Sequence, residues 1–379
     1  MSAPSRRTAG AELGLPDLSR TVRGNTLQQR LAALPRTGAQ SNRVLDRNSD
    51  LKRRNIFVIG AGLSTEFRYP MARDLLHRVW ARLPSGDRKV LERIVRFHHP
   101  GWDGRPATLP DIEEFLTELA ANEDLLPALR AEGPFNRAHL RQARDKLLFE
   151  IARWFHEIHS QERARDVLRT VVRRIKAANA AIISFNWDYE LDQELFDSPT
   201  STSYGIAPVP TSGIVLLKPH GSLNWYTATS GRHIKERLLE VLWTRGGEHV
   251  YHFRPWRAPR STVRQYLPWI VPPTHVKEFG HPMLRRIWRR CVDVLSTART
   301  VYFLGYSLPA ADWHSRYILR CGFDNQVQGL PWGKRRRSPT GPAKVTIVNP
   351  DPSAFTRIEA VVGAHCRWVP KRISDWLGA

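Results

Sequence analysis

"VIGAGLSTEF", residues 58–67, passes from an apolar run into two glycines, a serine and then a polar, charged segment. Ile56, Phe57, Val58 and Ile59 read as a buried strand. Gly60 and Gly62 let the backbone turn sharply and approach a ligand where a Cβ would clash. Beyond the turn, the spacing of Met71, Leu75, Leu76 and Val79 predicts a helix. A helix that begins just past such a turn offers unpaired N–H groups to a pyrophosphate. The full three-glycine dinucleotide fingerprint is absent. Taken alone, the segment leaves two readings open, a phosphate loop or a tight turn in a packed domain.

The rest of the chain narrows the choice. Helical patterns dominate residues 74–178: Ile112, Phe115, Leu116 and Leu119 keep a spacing of three and four behind Thr108 and Pro110, and Leu147, Leu148, Ile151, Trp154, Phe155 and Ile158 repeat it. Short apolar runs then return as "AAIISFN", "GIVLLKPHG", "TVYFLGYSL" and "KVTIVNPD". Apolar strands separated by helices predict an α/β fold with a doubly wound parallel sheet, Rossmann-like, carrying an inserted helical module at about residues 74–178. In such a sheet the ligand lies beyond the carboxyl ends of the strands. Here those ends carry Gly60, Gly62 and Ser64; Asn186 and Asp188; His220, Gly221 and Ser222; Gly305, Tyr306 and Ser307; and Asn349 and Asp351.

Composition sets the outer bounds. The chain has 379 residues, 41% hydrophobic and 25% charged, in the range of an ordinary globular protein. No apolar run approaches bilayer length and the start, "MSAPSRRTAGAELG", lacks the apolar core of a signal peptide. A cytoplasmic protein without membrane attachment is expected. Cys291, Cys321 and Cys366 are too few and too scattered for a disulfide framework or a tetrahedral zinc site, so no metal is expected.

The net charge of +22 is unevenly placed. Residues 1–54 carry 11 basic and 4 acidic side chains and residues 231–337 carry 20 and 7, whereas residues 55–230 balance at 22 against 22. Residues 1–50, rich in Arg, Ser, Thr and Pro without sustained periodicity, read as a basic, flexible arm, and the folded body is placed at 51–379. "FRPWRAPRSTVR", "LRRIWRR" and "KRRR" suit solvated charge, an acidic partner chain or nucleic acid. A basic surface alone specifies no groove and no base contact.

Taken in order, these motifs resemble the sirtuin-like NAD-consuming enzymes, and more closely their bacterial antiviral-defence branch than the protein deacetylases. "GAGLS" looks like the first motif of that family, "SFNWD" its Asn-containing second and "KPHGSLNW" its catalytic-histidine motif. "GYSLPAADWHSRYILR" and "VNPD" are similar to its ribose- and adenosine-binding segments, and "DIEEFL" to the helical insertion of the bacterial branch. The resemblance covers residues 55–375. Two departures weigh against a deacetylase: the four-cysteine zinc ribbon is missing, and the first motif continues as "TEFRYP".

The resemblance implies a sirtuin-like catalytic domain that takes NAD as substrate and cleaves it to nicotinamide and ADP-ribose, an NAD glycohydrolase of antiphage defence by NAD depletion. His220 then accepts a proton from a ribose hydroxyl or water, as an imidazole titrating near neutrality can. Asn186 holds that water or a ribose hydroxyl, and Asp188 steadies developing charge or caps the next segment. Gly60, Ala61, Gly62 and Ser64 would bind the diphosphate, Gly305 and Ser307 a phosphate or ribose, and Asn349 the adenosine ribose. Control is expected from homo-oligomer assembly or from a separately encoded partner, a nucleic-acid translocase ATPase or a nuclease. An NAD-dependent deacylase, a non-catalytic NAD or ADP-ribose sensor and a direct nucleic-acid-binding role stay open at this point.

Overall fold

A computed structural model of the chain describes residues 54–128, 135–159, 161, 165–198, 201–206, 213–227, 239–245, 248–254, 267–271, 281–310, 312–329, 338–363 and 366–378. The arm expected at residues 1–50 lies outside the described residues. Strand β1 (Asn55–Ile59) is followed by a single helical turn, α1 (Ala61–Ser64), and then by α2 (Ala72–Trp80), α3 (Ser85–His98), α4 (Ile112–Ala128), α5 (Arg137–His159) and α6 (Asp166–Ala177). After these come β2 (Ala181–Ser184), α7 (Glu190–Phe196), β3 (Thr202–Ser203) and β4 (Ile214–Leu217). Next are β5 (Gly221–Thr227), β6 (Leu239–Arg245), β7 (Glu248–Phe253), β8 (Leu267–Ile270) and α8 (Pro282–Ser296). The chain ends in β9 (Thr300–Leu304), α9 (Trp313–Gln328), β10 (Lys344–Val348), α10 (Pro352–Val362), β11 (Cys366–Val369) and α11 (Ile373–Leu377).

Seven strands form one sheet in the order β11-β10-β9-β1-β2-β4-β3, every neighbouring pair parallel. The chain builds outward from β1 through β2 to the edge strand β3, inserts β4 between β2 and β3, returns to place β9 on the other side of β1, and builds outward again. That reversal puts the topological switch point between β1 and β9, where doubly wound sheets bind their ligands. The α/β doubly wound fold expected from the sequence is the fold observed. All of Ile56–Ile59 and all of β2 and β4 are buried, as parallel strands covered on both faces require.

Register aligns the carboxyl ends. Ile59 sits opposite Ser184 and Leu304, Leu304 opposite Val348, and Leu217 opposite Ile183. Gly60, Phe185, Lys218, Gly305 and Asn349 therefore follow one another along a single rim. Helices cover the core through apolar stripes: Leu75, Leu76 and Val79 on α2, Ile112, Phe115, Leu116 and Leu119 on α4, Leu168, Val171 and Ile175 on α6. Among the described residues no helix is long and apolar enough to cross a membrane.

A second sheet, order β6-β7-β5-β8, is antiparallel. It begins where the chain turns out of β4. Gly221 has φ +72°, and a Cβ there would lie 2.6 Å from the Trp269 carbonyl oxygen. Only glycine combines that backbone conformation with so close an approach of β8.

Candidate active site

Backbone bonds lock the turns at the switch point together. Gly60 N–H donates to Leu304 O (3.1 Å), Gly62 N–H to Gly305 O (2.9 Å), Phe185 N–H to Ile59 O (3.0 Å) and Gly305 N–H to Val348 O (3.0 Å). The turn after β1 meets the turn after β9 backbone to backbone, so that a Cβ on Gly62 would lie 2.6 Å from Gly305 Cα. Gly305 also has φ +61°. Gly305→Ala combines overpacking with left-handed strain and is expected to cost about 3 kcal/mol or more. Denaturant unfolding of the variant checks this, and a stability equal to wild type would contradict it.

A buried polar chain runs behind this turn. Asn186 Nδ2 donates to Gly60 O (3.0 Å) and to Ser64 Oγ (2.8 Å), and Ser64 Oγ donates in turn to Asp188 Oδ2 (2.6 Å). Asp188 also accepts from Glu190 N–H at the start of α7 (3.2 Å). Burial pushes the Asp188 carboxyl above its ordinary value, with Lys218 and the Ser64 bond pulling the other way. Lys218 Nζ, fully buried, donates to Asp188 O (2.6 Å), Asp192 Oδ2 (3.0 Å) and Ser222 Oγ (2.5 Å). Every donor of that ammonium is thus used.

His220 stands on the turn between β4 and β5. The turn is held by Trp288 Nε1 donating to Pro219 O (3.0 Å), Val271 N–H to His220 O (2.8 Å) and Gly221 N–H to Lys218 O (3.1 Å). The imidazole is buried, 5.1 Å from the Phe185 ring, and Phe185 stacks on Tyr306 at 4.4 Å and 12°. Nε2 lies 3.2 Å from Ser315 Oγ and 3.1 Å from Asp312 Oδ2. Burial and the neighbouring Asp312 raise the Tyr306 hydroxyl well above its usual range, which keeps it protonated near neutral pH.

These groups face a cavity of about 140 Å³. That is close to an apolar cavity of ~150 Å³ known to take one benzene ring. Tyr69, Pro70, Met71, Leu75, Ile112 and Phe155 supply an apolar wall from the helical segments between β1 and β2, and Glu113 adds a carboxylate. Of the residues singled out from sequence, Gly60, Ala61, Ser64, Asn186, Asp188, His220 and Ser307 line the cavity. Gly62, Gly305 and Asn349 do not. Gly62 and Gly305 allow the two turns to close on each other, and Asn349 ties the ends of β9 and β10, donating to Tyr306 O (3.1 Å) and accepting from Asp351 N–H (2.9 Å).

Sequence reasoning missed Asp312, Phe185 and Glu113 as cavity groups and Ser315 as a neighbour of His220, whereas Tyr306, read at a strand end, does line the cavity. Asp312 reads from sequence as an ordinary helix cap before "WHSRYILR", which it is, its side chain accepting from Ser315 N–H (3.3 Å). Among the described residues, His99, Glu114 and Glu118 bring potential metal-ligand atoms within 4.8 Å of one another. His99 Nε2 already bonds Glu118 Oε1 at 2.7 Å, and Glu114 is exposed.

No family model matches the chain, and no curated protein matches it. Among solved structures it is similar to a Sir2 homologue mutant in complex with ADP-ribose, at 12% identity and TM-score 0.38, covering 86% of this chain and 90% of that one. It is also similar to a structure concerned with the mechanism and regulation of Sir2 enzymes (13% identity, TM-score 0.40, 89% and 95% covered). A third is Sir2 with a p53 peptide and NAD+ (15% identity, TM-score 0.32, 90% and 95% covered).

Proposed function

We propose that this cavity holds the nicotinamide riboside end of NAD and that the protein hydrolyses the bond between nicotinamide and ribose. The observation that carries the reading is the meeting of His220, Asn186 and the Gly60–Ser64 turn around one ring-sized cavity at the switch point of a doubly wound sheet. The motif order "GAGLS", "SFNWD", "KPHGSLNW" supports the same substrate.

The chemistry suits the residues. As the C1′–N bond breaks, its electron pair goes to the nicotinamide nitrogen and positive charge builds on the ribose. Water adds its oxygen to C1′ and gives up a proton, which His220 takes as general base. Asn186 Nδ2 is spent on Gly60 and Ser64, leaving Oδ1 to accept from a ribose hydroxyl or the attacking water. The Asp188 and Glu113 carboxylates lie on the same cavity as the developing cation. The apolar wall excludes competing water and seats the departing ring.

Asn186→Ala tests the orienting role. Its turnover is expected to fall by about 10²-fold or more with little change in NAD affinity, because an orienting group acts chiefly in the transition state. Equal losses in affinity and rate would assign Asn186 a purely structural role instead.

In the cell this activity would deplete NAD in antiphage defence. The concentration of basic charge in residues 1–54 and 231–337, apart from a balanced 55–230, supports control through homo-oligomer contacts or an acidic partner such as a translocase ATPase or nuclease. The test is purified protein with NAD, alone, with an acylated peptide, and with products of neighbouring genes, followed by product identification. Equimolar nicotinamide and ADP-ribose independent of peptide support the reading. Nicotinamide released only with peptide makes the protein a deacylase, and NAD bound but intact makes it a sensor.

A further inference from the structure

We infer that Asp312 is a positioning residue for His220, its buried carboxylate fixing one tautomer of the imidazole and favouring its protonated form; the inference rests on His220 being the base of the proposed hydrolysis. The two oxygens of Asp312 divide their tasks. Oδ1 accepts from Ser315 N–H (3.3 Å) at the start of α9, while Oδ2 lies 3.1 Å from His220 Nε2. Asp312 is 1% exposed and sits at the N-terminus of a 16-residue helix, where backbone N–H groups favour the anion.

A carboxylate only accepts, so its placement beside Nε2 favours the tautomer with the proton on Nε2 and the lone pair of the neutral ring on Nδ1. When His220 takes a proton, the imidazolium forms beside a fixed negative charge. Ser315 Oγ, 3.2 Å from the same nitrogen, leaves that geometry satisfied in either charge state of the ring. The logic is that of a carboxylate behind a catalytic histidine: it orients and stabilises without itself reacting.

Other titratable groups share the cavity: Glu113 from α4, Tyr69 ahead of α2, Asp188 after β2 and Tyr306 after β9, with Lys218 two residues before His220. Asp188 Oδ2 is occupied by Ser64 and the Lys218 ammonium by Asp188 O, Asp192 and Ser222. Asp312→Asn leaves all of these in place. Asn caps a helix about as well as Asp, so the substitution removes the charge and keeps the cap.

The experiment is nitrogen-15 spectroscopy of the imidazoles in full-length wild type, D312N and D312A, with His220 assigned by its absence in H220Q. Wild type should show the Nε2–H tautomer, and the His220 pKa in D312N should fall by about 1 unit or more, since an adjacent anion favours the charged ring. The sign for catalysis follows. A base works deprotonated, so the acid limb of the kcat–pH profile should move to lower pH in D312N, with kcat reduced at neutral pH and KM for NAD little changed. An Nδ1–H tautomer in wild type overturns the pairing even if D312N fails to fold. Equal His220 titration in wild type and D312N also overturns it, leaving Asp312 only a helix cap, a role that D312A alone would damage. Wild-type protein that cleaves no NAD under any condition overturns the glycohydrolase reading, and the spectra then still decide the pair.

Discussion

His220→Ala is expected to lower NAD turnover by about 10²–10⁴-fold, the range supplied by a positioned general base. The loss should fall on turnover rather than on binding, because the apolar side of the cavity at Tyr69, Met71 and Phe155 and the Gly60–Ser64 turn are built without His220. Its stability should drop as well. The imidazole is 6% exposed and lies against Asp312, so its removal leaves a buried carboxylate short of a neighbour, at a cost of about 1–3 kcal/mol. Circular dichroism and size exclusion should still report a folded protein of wild-type size. Turnover at the wild-type rate in a clean preparation would remove His220 from the mechanism.

Lys218→Met should be the most destabilising single change among the residues near the site. Lys218 is wholly buried, and Asp192, its ion-pair partner at 3.0 Å, is 1% exposed. Asp192 also receives the Tyr204 hydroxyl and, at 3.4 Å, Asn224 Nδ2, but neither brings positive charge. Removing one member of a buried pair leaves the other as an uncompensated charge, at about 3–5 kcal/mol. The expected result is a large fall in the denaturant midpoint with an unchanged slope. A second substitution, Asp192→Leu, should recover part of it, because the stranded charge is then gone. If Lys218→Met unfolds at the wild-type midpoint, Lys218 is not the charge that compensates buried Asp192.

The parallel sheet was legible because its strands announce themselves as continuous apolar runs. "IFVI", "AAIIS" and "IVLL" are buried throughout, "VYFL" and "VTIV" in all but Tyr302 and Thr346, and each ends in glycine or a polar residue at the same rim. The antiparallel sheet was not. Strands β6 and β7, "LEVLWTR" and "EHVYHF", break strict alternation at Val241–Trp243, where the register shifts, and at Val250–Tyr251. They lie inside the basic stretch 231–337, where dense charge hides the period. The role of "GAGLS" was half legible. Its glycines do mark the switch point, but Gly62 serves the close approach of Gly305, a contact across 243 positions of sequence that no local pattern could specify. Asp312 was hidden for a similar reason: its cap role is local and visible, whereas its contact with His220 depends on α9 starting beside the turn out of β4.

The measurement that tests the central claim most directly is a crystal structure of the His220→Ala protein with NAD bound. The account predicts the diphosphate along the Gly60–Ser64 turn, the nicotinamide ring in the cavity against the wall formed by Tyr69, Met71 and Phe155, and a ribose hydroxyl or water within ~3.2 Å of Asn186 Oδ1. Density for NAD elsewhere on the molecule, with this cavity left to solvent at saturating NAD, would contradict it.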